Sequence, residues 1–157
     1  MTSAITTERK EPQVHERSAR VVTGTIGFST RGDADVIRIT DEVRGNVLAS
    51  GLQDGIVTIF VPGATGAVTT IEYEPGVVSD LQEVLETLVP TGHAWQHNIN
   101  NGDGNGHSHV RAGLLGPSLT VPVVSGRLTL GTWQEIVFCD FDARPRERSL
   151  VVQVMGV

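Results

Sequence analysis

Histidine is where the chemistry of this chain concentrates. Of its five histidines, four (His93, His97, His107 and His109) fall within seventeen residues, and His15 stands apart near the N-terminus. His107-Ser108-His109 is an H-x-H pair. On a strand, positions i and i+2 share a face, so both imidazoles could reach one ion; on a helix they would diverge. His93 and His97, four apart, would share a helical face. A catalytic zinc commonly has three protein ligands, often histidines, with one position left open for water. Imidazole also suits nickel, copper and iron, so the expected cofactor is zinc or another divalent metal. A single loop histidine is ordinarily a hydrogen-bonding residue. Four so crowded, two of them as H-x-H, favour a metal site.

Other side chains could serve that site. The glycine-rich stretch 98–106 reads as a loop between the two histidine pairs. Its Asp-Gly-Asn-Gly fragment is similar to part of a calcium loop, but the later acidic ligands are missing. Asp103 could orient a metal-bound histidine or act as a base. Glu72 and Glu74 would share a strand face about 7 Å apart, a spacing at which two carboxylates can divide acid and base roles. Glu74 fits better as a helix start, which leaves Glu72 as the catalytic candidate. Arg144, Arg146 and Arg148 alternate. They could hold phosphate or carboxylate, although charges guarding a sheet edge are the favoured reading. Cys139, within an apolar run, reads as a core residue. No G-x-S-x-G elbow is present, which argues against a serine hydrolase.

The elements that must position these groups make one α+β domain. The chain has 157 residues, 39% hydrophobic and 19% charged, enough for a single core without disulfide or metal support. A net charge of −6 weighs against nucleic-acid partners. The only lysine is Lys10, so neither a Walker phosphate loop nor Schiff-base chemistry is expected. No apolar run is long enough to span a membrane, and the polar N-terminus does not read as a signal peptide, so a cytoplasmic protein is expected. Residues 1–19 read as a polar tail and 20–157 as the domain.

Strands are expected at 21–28 and 36–39, joined as a hairpin. A helix should follow from Thr40 to Gly51, with Val43, Val47 and Leu48 facing inward. The unbroken apolar run 56–61 predicts a strand buried on both faces, and 67–74 another. Pro75 opens a helix whose inner stripe is Val77, Leu81, Val84, Leu85 and Leu88, ending at Pro90 and Gly92. Strands at 119–124, 126–130, 136–141 and 149–154 are separated by few residues, which favours antiparallel pairing. The total is seven or eight mostly antiparallel strands with two or three helices.

Three segments carry a family resemblance: VPGATGAVTTIEYEPG (61–76), DGNGHSHVRAGLLGPSLTVPV (103–123) and GRLTLGTWQEIVFCDFD (126–142). Over residues 20–156 the chain resembles the YjbQ-like family. The resemblance implies an α+β fold, a homotrimer, and histidines gathered round a metal near a subunit boundary. His97, His107 and His109 match the family histidines, and His93 has no counterpart. Many members carry a histidine where this chain has Gly63. The resemblance further implies secondary thiamine-phosphate synthase activity, the joining of a hydroxymethylpyrimidine pyrophosphate to a thiazole phosphate. The expected protein is therefore a metal-binding enzyme acting on a small molecule, with His97, His107 and His109 as ligands and Glu72 or Asp103 handling protons. The alternative is a non-catalytic trimer that binds a metal or metabolite.

Overall fold

The computed structural model describes residues 18–157, so nearly all of the expected tail, His15 included, lies outside the described residues. Eight strands and four helices follow in the order β1 (Arg20–Thr30), β2 (Asp35–Arg38), α1 (Thr40–Ser50), β3 (Gly55–Phe60), β4 (Gly66–Glu72), α2 (Pro75–Leu88), α3 (Gln96–Asn101), α4 (Gly106–Leu115), β5 (Ser118–Val124), β6 (Arg127–Leu128), β7 (Gln134–Asp140) and β8 (Arg146–Gly156). They form a five-stranded sheet, ordered β1-β8-β3-β5-β6, and a three-stranded sheet, ordered β2-β7-β4. Every pairing is antiparallel. The α+β expectation holds.

The alternation of side chains along β7 explains the layering. Ile136 and Phe138 join Val57, Ile59 and Val152 in the core between the two sheets. Val137 and Cys139, on the opposite face, pack with Leu85 of α2 and Ala112 of α4. The small sheet is therefore covered on both faces, by the large sheet and by helices. The strand expected to be doubly buried was β3. Only Val57 and Ile59 are fully enclosed there, and the alternate Phe60 is 44% exposed. The large sheet has one buried face, and the strands buried on both are in the small sheet: β7 along most of its length, and β4 at Ala67 and Val68.

Local signals account for the first two helices. Gly51 closes α1 in the left-handed region, at φ 70°. Glu74 caps α2, its carboxylate accepting from the backbone amides of Gly76 and Val77. Neither apolar stripe is wholly inward. Leu48 is 65% exposed and Leu88 68%, and of the α2 stripe only Leu85 is buried. The expected first hairpin also fails. β1 pairs with β8 and β2 with β7, so the turn after Thr30 carries the chain from one sheet to the other.

The largest departure is at the histidines. The stretch 98–106 is not one loop: it holds the end of α3 and the start of α4, and the H-x-H pair lies on the helix α4. The buried residues of α4 include His107, Ser108, Arg111 and Ala112, spaced as one helical face. Gly106 lets the two short helices meet. A Cβ there would stand 2.6 Å from Trp95 Cβ.

Candidate functional site

Because α4 is a helix, its two histidines diverge. His107 is 1% exposed. Its Nε2 lies 3.3 Å from Ser108 Oγ, and its Nδ1 has no partner. Burial, with the nearby positive charge of Arg111, holds the His107 imidazole below its ordinary pKa of 6.5. Arg111 is itself buried. It donates from Nε and Nη2 to the Val89 carbonyl, at 3.1 and 2.8 Å, and pairs with Glu86. His107 thus belongs to the packing under α4, and the structure does not bring it to the other two expected ligands.

His109 turns the other way and meets His97 of α3, with ring centroids 4.5 Å apart. His97 Nε2 is 3.1 Å from the Asp103 carboxylate, and its Nδ1 is 3.1 Å from Asn101 Nδ2. His109 Nδ1 lies 3.0 Å from the Ala64 carbonyl oxygen. A carbonyl can only accept, so Nδ1 carries the proton and Nε2 keeps its lone pair. That lone pair faces Asn105. With the Asn105 amide oriented to satisfy its neighbours, its nitrogen stands 3.1 Å from His97 Nε2, 3.3 Å from His109 Nε2 and 3.2 Å from Asp103 Oδ1. Two imidazoles and a carboxylate therefore converge on one amide group.

Two clefts flank this cluster. One of about 200 Å³ is lined by Gly63, Ala64, Gly66, His109, Ala112 and Pro117 among others. Gly63 has φ +137°, a conformation L side chains rarely adopt, so a substitution there is strained even though space is available. The second cleft, about 450 Å³, is lined by Asp103, Asn105, Asp142, Ala143, Arg144 and Arg146.

Glu72 is not part of this cluster. It ends β4 and opens on a separate cleft with Tyr73, Glu74, Thr132, Trp133 and Glu135. His93 packs edge-on against Trp95, with centroids 4.7 Å apart. The three arginines do not act as one row: Arg144 precedes β8, and Arg146 and Arg148 pair with β1 alone, beyond the end of β3. Arg148 instead grips the fully buried Asp140, with Nε 2.7 Å from Oδ2 and Nη2 2.5 Å from Oδ1. It also reaches Thr65 Oγ1 at 3.0 Å, and Thr65 Oγ1 donates to Asp142 at 3.2 Å. The loop that carries the Ala64 carbonyl is thus tied to a buried charge network.

Asn105, Ala64, Thr65 and the two aspartates of this network were not singled out from the sequence, whereas Arg146 and Arg148 were, as groups able to hold a carboxylate. Asn105 and a backbone carbonyl carry no sequence signal of their role. The network does leave one: two carboxylates at i and i+2 in an apolar stretch (Asp140, Asp142), followed by two arginines at i and i+2 (Arg146, Arg148).

The model for the family described as UPF0047 protein YjbQ-like matches residues 24–157. The chain belongs to the YjbQ/UPF0047 family. It is 40% identical over 136 residues to a UPF0047 protein of Methanothermobacter thermautotrophicus, an alignment covering 87% of this chain and 93% of that one. It is 34% identical over 134 residues to the UPF0047 protein YugU of Bacillus subtilis, covering 84% and 98%. Among solved structures, a YbjQ-like protein of unknown function from Sulfolobus solfataricus superposes with a TM-score of 0.85 at 32% identity, covering 89% and 100%. A YjbQ/UPF0047 family protein from Clostridium acetobutylicum gives 0.74 at 34%, covering 82% and 98%. No helix among the described residues is long and apolar enough to cross a membrane.

Proposed function

We propose that this family member is a divalent-metal-dependent enzyme acting on a small molecule, with His97, Asp103 and His109 holding the metal and Asn105 beside it. The observation that carries this reading is the shared aim of those three side chains at Asn105, within 3.1–3.3 Å. Two histidines and a carboxylate are a donor set used by catalytic zinc and by non-haem iron. The Ala64 carbonyl on His109 Nδ1 is the kind of partner that fixes the tautomer of a metal-binding imidazole. The donor chemistry therefore fits a metal. The side chains are not closed around one: among the described residues no three His, Cys, Asp or Glu side chains are placed to hold a metal ion. Asn105 stands in the middle, so its amide has to swing aside or turn its oxygen inward.

A metal bound there would polarise a substrate oxygen or lower the pKa of a water. Asn101, 3.1 Å from His97 Nδ1, orients that ring from its far side and leaves Nε2 and the Asp103 carboxylate for the metal. The clefts on either side give a substrate access, which favours an enzyme over a closed structural centre.

The test is divalent-metal content of untagged protein, with alanine at positions 97, 103, 109 and 93 in turn. Loss at 97, 103 and 109 with retention at 93 is expected. Undiminished zinc, nickel and iron content at both 97 and 109 would overturn the reading. A folded His107→Asn variant that keeps its metal would separate this site from the three-histidine set implied by the resemblance. Thiamine-phosphate synthesis, which the resemblance implies, is the first reaction to assay, and the homotrimer is the assembly to test with it.

A further inference from the structure

The cleft of about 450 Å³ beside the cluster has a charge pattern that metal binding does not use. Of its two carboxylates, Asp103 faces His97, and Asp142 is 3% exposed and held by Thr65 and the arginines. Its two guanidinium groups keep donors to spare. Arg146 is partly exposed and meets Asp142 through Nε alone, 2.9 Å from Oδ2, which leaves its terminal nitrogens for another partner. Arg144 is exposed and pairs with no carboxylate among the described residues. Pro145 stands between them. It fixes its own φ and confines Arg144 to extended backbone, so both guanidinium groups spring from a stiffened main chain. With Asp142 matched by Arg146 and Asp103 turned to His97, Arg144 is the cleft's guanidinium without a carboxylate partner among the described residues, in a chain of net charge −6.

Building on the proposed metal site, we propose that Arg144 and Arg146 bind the acidic group of the substrate, a carboxylate or phosphate, while the rest of the molecule reaches the His97–His109 pair past Asp103 and Asn105. Guanidinium groups match the planar, two-oxygen face of such anions. The volume lies within the range of small-molecule sites. Asp103 and Asn105 line this cleft and also belong to the histidine cluster, so an anion here lies next to the proposed centre.

The experiment is calorimetric titration of the full chain with inorganic phosphate and, separately, acetate, at low salt. Saturable binding of at least one probe is expected, and the stronger of the two names the acid. Arg144→Gln, at an exposed position, should keep its fold and weaken binding roughly tenfold, the loss of one charge-assisted contact. Arg146→Gln should do the same; should it not fold, Arg144→Gln carries the test. His109→Ala should lose metal yet bind the anion unchanged. No saturable binding of either probe to the parent protein, or equal affinity in Arg144→Gln, would overturn the inference. Metal retained by an otherwise anion-blind protein would sink this inference and leave the proposed metal site standing. Anion binding without metal affinity would do the reverse.

Discussion

Replacing Arg148 with methionine strands Asp140. The carboxylate has no solvent exposure, and the guanidinium supplies two of its contacts, at 2.7 and 2.5 Å. Thr30 Oγ1 and the Asp142 amide remain, but both are neutral donors. Removing one partner of a buried pair leaves an uncompensated charge, a loss of about 3–5 kcal/mol. At 2–4 °C per kcal/mol for a chain of this size, the melting temperature should fall by roughly 6–20 °C. The comparison is Arg38→Met. Arg38 pairs with Asp41 and Glu135 from a partly exposed position, and its loss should cost less than about 1 kcal/mol. Urea denaturation at one fixed protein concentration gives both values, since subunit association would otherwise enter the measurement. Adding Asp140→Leu to the Arg148 variant should restore part of the loss, because no buried charge then remains. Equal, sub-kilocalorie effects at 148 and 38 would refute the claim that this network is a structural core of charge.

Cys139 has no solvent exposure, and burial pushes its thiol up to about 12, so a disulfide reagent should leave the native protein untouched and react once urea unfolds it; rapid labelling of the native protein would contradict this. Burial would raise Asp142 and Asp35, but Arg146, Thr65 and Arg148 outweigh it at the first, and Arg31 at the second, so both carboxyls are held below their ordinary 3.8. As the pH drops below 3.8 the unfolded chain takes up protons that the folded chain refuses, so stability should fall there; Asp142→Asn should make that fall shallower, and an unchanged acid limb would count against it. Light scattering at micromolar concentration should give three times the chain mass, with the chain's own mass refuting the trimer.

Much of the fold is legible in the residues. Glu74 before Pro75, Gly51 after α1 and the dense apolar residues of β7 each state a local rule that packing then obeys. What hides is α4. Its buried face is built from His107, Ser108 and Arg111, so an apolar count sees no helical period where a helical period exists. That one misreading turns the H-x-H pair from a shared face into two opposite ones, and the ligand set changes with it. Leu48 and Leu88 mislead in the opposite sense, as apolar residues at helical spacing that a single chain leaves uncovered. At the site, residue type alone singles out His97, Asp103 and His109. Their meeting depends on how two short helices abut, which no spacing rule encodes.

The two halves of the cluster rest on unequal foundations. His109 rides on α4, which is anchored in the core by Ala112 and Arg111. His97 rides on α3, six residues with none buried. A helix that short does not persist on its own in water. It is held locally, by Trp95 Nε1 on the Pro90 carbonyl and Asn98 Oδ1 on the Gly106 amide. In hydrogen exchange, amides of α3 should open at far lower free energy than those of α4. Any ligand that bridges His97 and His109 must then bear the ordering of α3, and its affinity becomes a measure of how far that helix is already formed. The same coupling would let residues 90–96, which lead into α3, tune the affinity of any ligand bound by that histidine pair.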